Sequence, residues 1–396
     1  MAKNNKSQID FNDPVSIDKI DTLDKSLFEF VDNHEFQIDR VEGEAIGFFK
    51  DAWRRLVSKK TSIISMIVLG ILVFGSVVFP LISGYSYNEQ VLKDEYDIAE
   101  VKELPPRMPL LEKIGIADGI VETQLDEESL KQYDEKYYDI IDEKSTVLGK
   151  SYEVEIDYYK ALGLKEKGDN KYFFFGTDNL GRDYWTRVWY GGRISLFVGL
   201  VATVINITIG IIWGGIAGFF GGSKVDMFMM RFAEILYSIP TLVWVTLLSL
   251  IFSAGLKAIL ISLAITGWIG TAQLVRSQFL KLRGQEFVLA SRTLGSSNLR
   301  LIAKHLFPNI IGQIVVLLTV MIPGAIFYEA FLAFIGLGVQ PPIPSIGILI
   351  NDGRLTIQTL PRMIIFPSVF ISFLMLSIQL LSNGLRDALD PRMKNK

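Results

Sequence analysis

The sequence predicts an all-α polytopic membrane protein: six transmembrane helices, with an extracellular insert between the first and the second. Three observations carry this. Mean hydropathy over the chain is +0.32, where charged surfaces normally pull that average below zero. Six apolar runs approach the roughly 20 residues needed to cross ~30 Å of hydrocarbon. Charge is segregated along the chain: residues 85–175 carry a net −10, and the remainder of the 396 residues carries +7. Cysteine is absent and histidine is limited to His34 and His305. A disulfide framework, thiolate chemistry, a multi-histidine metal centre and a Ser-His-Asp site are thereby disfavoured.

Residues 1–44 form an acidic segment without apolar periodicity, expected to lack a packed core and to be cytoplasmic. At 45–61, Ile46, Phe48, Phe49, Trp53, Leu56 and Val57 alternate with basic residues. This predicts an amphipathic helix lying in the interface, or else a simple extension of the first span. The spans are expected at 62–83 (within a 62–84 segment), 194–220, 233–253, 258–274, 310–336 and 364–381. The first is too long for a signal-peptide core and no small-residue cleavage site follows it, so it reads as a retained anchor. Lys50, Arg54, Arg55, Lys59 and Lys60 precede it. A second basic cluster (Arg276 to Lys304) and a third (Arg386 to Lys396) fall on the same side if there are six spans. The positive-inside rule makes that side cytoplasmic, with both chain ends there.

Gly210, Gly214, Gly218 and Gly222 recur every four residues, as do Ala258, Ser262, Thr266 and Gly270. That spacing lets helix backbones approach closely in lipid. Pro240, Pro323 and Pro367 sit in or beside apolar helices, where they loosen the backbone. The 85–175 insert holds ten of the fourteen tyrosines. It combines a helical pattern at 127–144 with an alternating run at 152–158, and reads as a small folded domain or as an extended loop. Trp185, Trp189 and Tyr190 are expected to anchor the outer start of the second span at the interface.

Gly149-Lys150-Ser151 imitates the end of a phosphate-binding loop, but Lys144 stands where the first glycine belongs, so no nucleotide site is read there. Glu329 is the one clear acid inside a span; it could relay protons or pair locally. The basic loop 286–308 predicts a short helix, a stop at Gly295, and a second helix ending near Pro308. From spacing alone it is only a structured loop.

That loop resembles the "EAA" loop of ABC importer permeases. Leu289-Ala290-Ser291 stands at the triplet, Gly295 and Pro308 hold their spacing, and Leu289, Ser291, His305 and Phe307 depart from the pattern. Two further blocks resemble the second, C-type permease subunit of dipeptide and oligopeptide importers. One is Gly176-Thr177-Asp178-Asn-Leu-Gly181-Arg182-Asp183, continuing to Arg187, Arg193 and Ser195. The other runs from Glu329 through Gly336, Gly338, Pro341 and Pro342. Val225-Asp226 to Arg231 with Ile239-Pro240 fits as well, so the resemblance covers 176–390 and the lead-in at 45–61. The 85–175 insert lies outside the usual pattern.

The resemblance implies a type I importer permease fold and a non-catalytic pore subunit in a bacterial cell membrane. It implies a heterodimer with a second permease subunit, two cytoplasmic ATPase subunits, an extracellular solute-binding protein and a peptide substrate. No cofactor or metal would be bound by this chain, ATP and Mg residing on the ATPases; no nucleic acid is implied. The ATPase-coupling residues would be Glu286, Ala290, Ser291, Arg292, Gly295, Ser297, Leu306 and Pro308. A nickel or other small-solute ABC importer, an ion-gradient-driven secondary transporter and a membrane-anchored sensor are the alternatives.

Overall fold

The computed structural model describes residues 48–90, 103–109, 111–131, 137–146, 149–162, 164–165 and 171–389. The expected acidic segment 1–44, the start of the 45–61 helix and the last basic residues lie outside these. Met1–Asp51 separates as its own unit from Ala52–Lys396, and the second unit holds the insert and the helical bundle.

Helix α1 (Phe48–Ser58) stops before α2 (Lys60–Ile82), because Lys59 is extended between them. The lead-in is therefore a separate helix and not a straight extension of the first span. Ala52 and Leu56 are buried, while Trp53, Arg54 and Arg55 are exposed.

The insert folds into β1 (Ile120–Asp126), α3 (Glu127–Leu130), β2 (Tyr138–Thr146), β3 (Gly149–Asp157) and α4 (Tyr158–Ala161). The strands form an antiparallel sheet in the order β1-β3-β2. The alternating run supplies β3, whose Val154 and Ile156 are buried with Leu125, Leu130 and Tyr138. The helix expected at 127–144 is corrected. Among the described residues of that stretch the only α-helix is α3, capped by Asp126 through the Ser129 amide at 2.9 Å. Tyr138, Ile140, Ile141 and Thr146 are strand formers, and pairing with β3 prevails over the local helical pattern.

The chain then builds α5 (Tyr184–Phe219), α6 (Lys224–Ser238), α7 (Thr241–Phe252), α8 (Leu256–Thr266), α9 (Ile269–Leu282), α10 (Glu286–Thr293), α11 (Asn298–Arg300), α12 (Phe307–Phe334), α13 (Ile346–Leu355) and α14 (Arg362–Leu389). Among the described residues five helical stretches are long and apolar enough to cross a membrane, or six if α6 and α7 count as one span. The expected span at 233–253 is thus not a continuous helix: α6 and α7 meet at 77°. Pro240 lacks an amide proton and forces Ile239 into extended backbone. The 12 residues of α7 rise only about 18 Å, too short to cross alone. Pro323 and Pro367 lie inside α12 and α14 without ending them.

The central element is α5, 36 residues long. Gly210, Gly214 and Gly218 of the expected stripe pack on α9, whereas Gly222 lies past the end of α5 and faces open space. A Cβ at Gly214 would collide with the Ala272 carbonyl oxygen, and one at Gly218 would lie 2.8 Å from that of Arg276. The second stripe buries Ala258, Ser262 and Thr266, but Gly270 faces open space. Elsewhere Gly199 of α5 closes on Ile326 of α12, and Gly75 of α2 closes on Trp189. Trp189 is therefore inside the bundle, against Phe79 and Phe370. An interfacial anchor role for that residue is corrected.

Candidate functional site

The 286–308 loop grows from the end of α9. In α10, Glu286 lies in the first turn and Arg292 in the last, each favourable to the helix dipole. Gly295 adopts φ +81°, a left-handed conformation that a Cβ makes costly. Its amide donates to the Arg292 carbonyl at 3.0 Å, and the Ser296 amide donates to that of Ser291 at 3.1 Å. These two bonds define a Schellman C-cap. The Ser291 hydroxyl is also 2.9 Å from Ser296 Oγ and 3.2 Å from His305 Nε2, which ties the two arms of the loop together.

Past Ser297, α11 runs through a π-helical turn (Leu301–Leu306) directly into α12. The expected stop near Pro308 is corrected. Pro308 sits in the first turn of α12, where its missing amide leaves an α-helical bond unmade. The widened turn lets Phe307 donate to Ile302 instead.

Val288, Leu301 and Leu306 are buried against Phe219, Val275, Phe279 and Ile310, so one face of the loop is pinned to the ends of α5 and α9. The opposite face exposes apolar side chains, with Leu294 at 87% and Leu299 at 76%. Phe287 and Leu289 are exposed beside them. Of the candidate loop residues, Glu286, Ala290, Arg292, Gly295, Ser297 and Pro308 lie at the surface, Ser291 is half-buried and Leu306 is core. Sequence reasoning missed Leu294, Leu299 and His305. The signal available was that two leucines flank the Gly295 turn in an otherwise polar stretch.

The 176–183 block lies at the opposite end of α5, about 54 Å of helix away. Gly176 (φ +73°) brings the backbone against Leu104, whose amide donates to Thr177 Oγ1 at 2.7 Å. Asp178 Oδ1 accepts from the amides of Leu180 and Arg182. Its Oδ2 pairs with Arg182 at 2.7 Å and with Arg187 at 3.2 Å. Gly181 makes the left-handed turn between them. Asp183 caps α5, accepting from the Thr186 amide at 2.8 Å. Burial raises the Asp183 carboxyl to about 6, although the Thr186 hydrogen bonds oppose the shift. This block fastens the insert to the bundle. Arg362 of α14 completes the fastening, donating to the Leu104 carbonyl at 3.0 Å, while Arg107 braces the insert internally, over the Tyr159 and Tyr172 rings and bonded to the Lys171 carbonyl.

Glu329 is fully buried in α12, where its carboxylate accepts from Ser195 Oγ at 2.8 Å. The same hydroxyl accepts from the Ile346 amide at the start of α13. The acid thus sits at a helix N-terminus, in local pairing that links α5, α12 and α13. Gly336 (φ +83°) ends α12, and Gly338 and Gly347 close on Ala333 and Ala330. Pro341 and Pro342 form the connection to α13. Arg193 stands apart from all three groups, exposed near the Tyr190 ring. Among the described residues no cluster of three or more metal-ligating side chains occurs.

A bundle of apolar helices closed by glycine contacts, with a pinned loop offering a leucine ridge at one end, has the form of a multi-pass membrane protein, and its likeness to known proteins places it in the transporter-permease class. Residues 207–395 match the family of the binding-protein-dependent transport system inner membrane component. Residues 47–106 match the N-terminal transmembrane domain of oligopeptide transport permease C. The dipeptide transport system permease protein DppC of Bacillus subtilis is 48% identical over 222 residues, covering 56% of this chain and 69% of the relative. The oligopeptide permease OppC of the same organism is 47% identical, covering 58% and 75%. DppC of Lactococcus lactis is 36% identical over 358 residues, covering 89% of this chain and 93% of the relative. The chain belongs to the binding-protein-dependent transport permease family. Because the Lactococcus match takes in 89% of the chain, it runs through at least part of 85–175.

Proposed function

We propose that the chain is one half of the translocation pore of an ATP-driven importer of dipeptides and oligopeptides. The observation that carries this is the loop itself: a leucine ridge held at fixed geometry by a left-handed glycine, in a chain whose relatives are named dipeptide and oligopeptide permeases. The second permease subunit completes the pore, and an extracellular solute-binding protein delivers peptide. Two cytoplasmic ATPase subunits, which hold ATP and Mg, seat the 286–308 loop in a surface groove. This chain is the non-catalytic partner, binding neither metal nor cofactor. Both chain ends and the loop are cytoplasmic, and the sheet of the insert is extracellular.

In this reading Leu294 and Leu299 supply apolar contact, while Glu286 and Arg292 set register at the wet rim. ATP-driven closure moves the pore only if the closed ATPase pair binds one pore state better than the other. The rigid tie from the loop to α5, α9 and α12 converts such a preference into helix movement. The test is reconstitution of the purified complex in liposomes. ATP-dependent uptake of a defined dipeptide, retained when ion gradients are collapsed, is expected. Uptake without ATPase subunits, or of nickel but no peptide, would refute the reading.

A further inference from the structure

A groove of about 360 Å³ opens on the side of the bundle. Its walls are α2 and α12, each packed on α5 and α14, and its lining includes Val73, Leu196, Leu200, Ile322 and Ile378. Two hydroxyls in the lining are already engaged: Ser76 donates to Leu72 O, and Thr319 is bonded to Val316 O and Ser382. The one charged group is Arg193. Elsewhere Arg187 pairs with Asp178 and Arg276 with Asp226, Arg362 is held by the Leu104 carbonyl, and Glu329 accepts from the Ser195 hydroxyl. Among the described residues, no carboxylate lies within ion-pairing distance of Arg193, which stands 5.8 Å from the centre of the Tyr190 ring.

The groove has a polarity along the membrane normal. Arg193 lies nine residues into α5, about 13 Å from its start. The adjacent Gly192 closes on Ser76, about 9 Å before α2 ends at Ile82. A guanidinium at that depth reaches the headgroup level by extending its stem. From it the apolar lining leads inward: Leu196 and Leu200 along α5, Val73 and then Leu69 back along α2, and Ile378 to Leu381 along α14. One unpaired cation at the mouth of an apolar slot matches an anionic headgroup with an acyl chain. A peptide would need partners for its amides, and the slot has none free.

We propose that this groove binds one anionic phospholipid, with its phosphate on Arg193 and an acyl chain between α2 and α12. A guanidinium binds a phosphate through charge-assisted hydrogen bonds. The occupant holds α2 against the pore helices, in the leaflet at the Trp185 end.

The test uses the full chain, in complex with its partner subunits, in nanodiscs of equimolar phosphatidylcholine and phosphatidylglycerol. Retained lipid is identified by native mass spectrometry after extraction. Wild type is expected to keep phosphatidylglycerol in preference to phosphatidylcholine. Arg193→Gln should lower that retention about tenfold, the loss of one charge-assisted contact. Arg193→Lys should restore most of it, since an ammonium still binds phosphate. Val73→Trp leaves the charge in place and fills the slot, and should also lose the lipid. Equal retention of both lipids by wild type would overturn the proposal. So would unchanged phosphatidylglycerol retention in Arg193→Gln, above all if that variant instead lost crosslinking to the neighbouring permease or raised the KM for peptide. Elution of each variant as an intact complex separates misfolding from loss of the site.

Discussion

Replacing Gly295 tests whether the loop's backbone geometry is what communicates with the ATPase. At φ +81° an L side chain meets the left-handed penalty, about 1–2 kcal/mol. The loop could escape by changing conformation, but it would then give up the Gly295–Arg292 and Ser296–Ser291 bonds, each worth about 0.5–1.5 kcal/mol net. Strain and escape therefore cost similar amounts, and the loop's native population relative to alternatives falls about 5- to 30-fold. No atom lies within 4 Å of a Cβ placed there, so a clash at Cβ adds nothing to the backbone penalty. The expected order is Gly, then Asn, which tolerates the left-handed region, then Ala, with β-branched Val the worst. The assay is peptide uptake and binding-protein-stimulated ATP hydrolysis in reconstituted complexes, with membrane insertion checked separately. Wild-type coupling in the Ala and Val variants would refute the reasoning. A defect confined to Gly295→Arg would show that bulk against the partner, and not backbone geometry, is what matters.

Asp183 makes folding pH-dependent. Its folded carboxyl titrates near 6 against 3.8 for the free group, so its stabilising contribution is present at low pH and is lost as pH rises through 6. The full difference is about 3 kcal/mol, roughly half of it between pH 5 and pH 7.5. Thermal unfolding should therefore show greater stability at pH 5 than at pH 7.5, a slope that Asp183→Asn should flatten. Gly214→Leu drives a side chain into the Ala272 backbone and should cost more than the roughly 1–3 kcal/mol of ordinary overpacking, read as loss of monodisperse protein. Normal yield and thermal midpoint in that variant would show that α5 and α9 can separate freely. Replacing 112–157 with a short flexible linker removes the sheet and keeps Leu104 packed on Tyr159, Leu162 and Leu164 and bonded to Thr177. The protein should still insert in the membrane, with reduced uptake at limiting substrate if the insert receives the binding protein; unchanged kinetics and assembly would exclude that role.

The membrane spans and the Gly295 turn were legible in the chain because both are local. In hydrocarbon every backbone group is satisfied within its own helix, so an apolar run of sufficient length declares itself without knowledge of its neighbours. A glycine between two short helical patterns likewise announces a C-cap whose bonds span only a few residues. The family resemblance came from such local blocks. What only the tertiary structure decided depends on residues far apart in sequence. The 138–146 segment became a strand because β3 was there to pair with it. Pro240 broke its span while Pro323 and Pro367 did not, a difference absent from the residue type. Glu329 found Ser195, 134 positions away, and ties α12 to α5. Arg193 reads in sequence as one more motif position; only the packing of α2 and α12 on α5 and α14 leaves it as the unpaired charge at the mouth of an apolar slot.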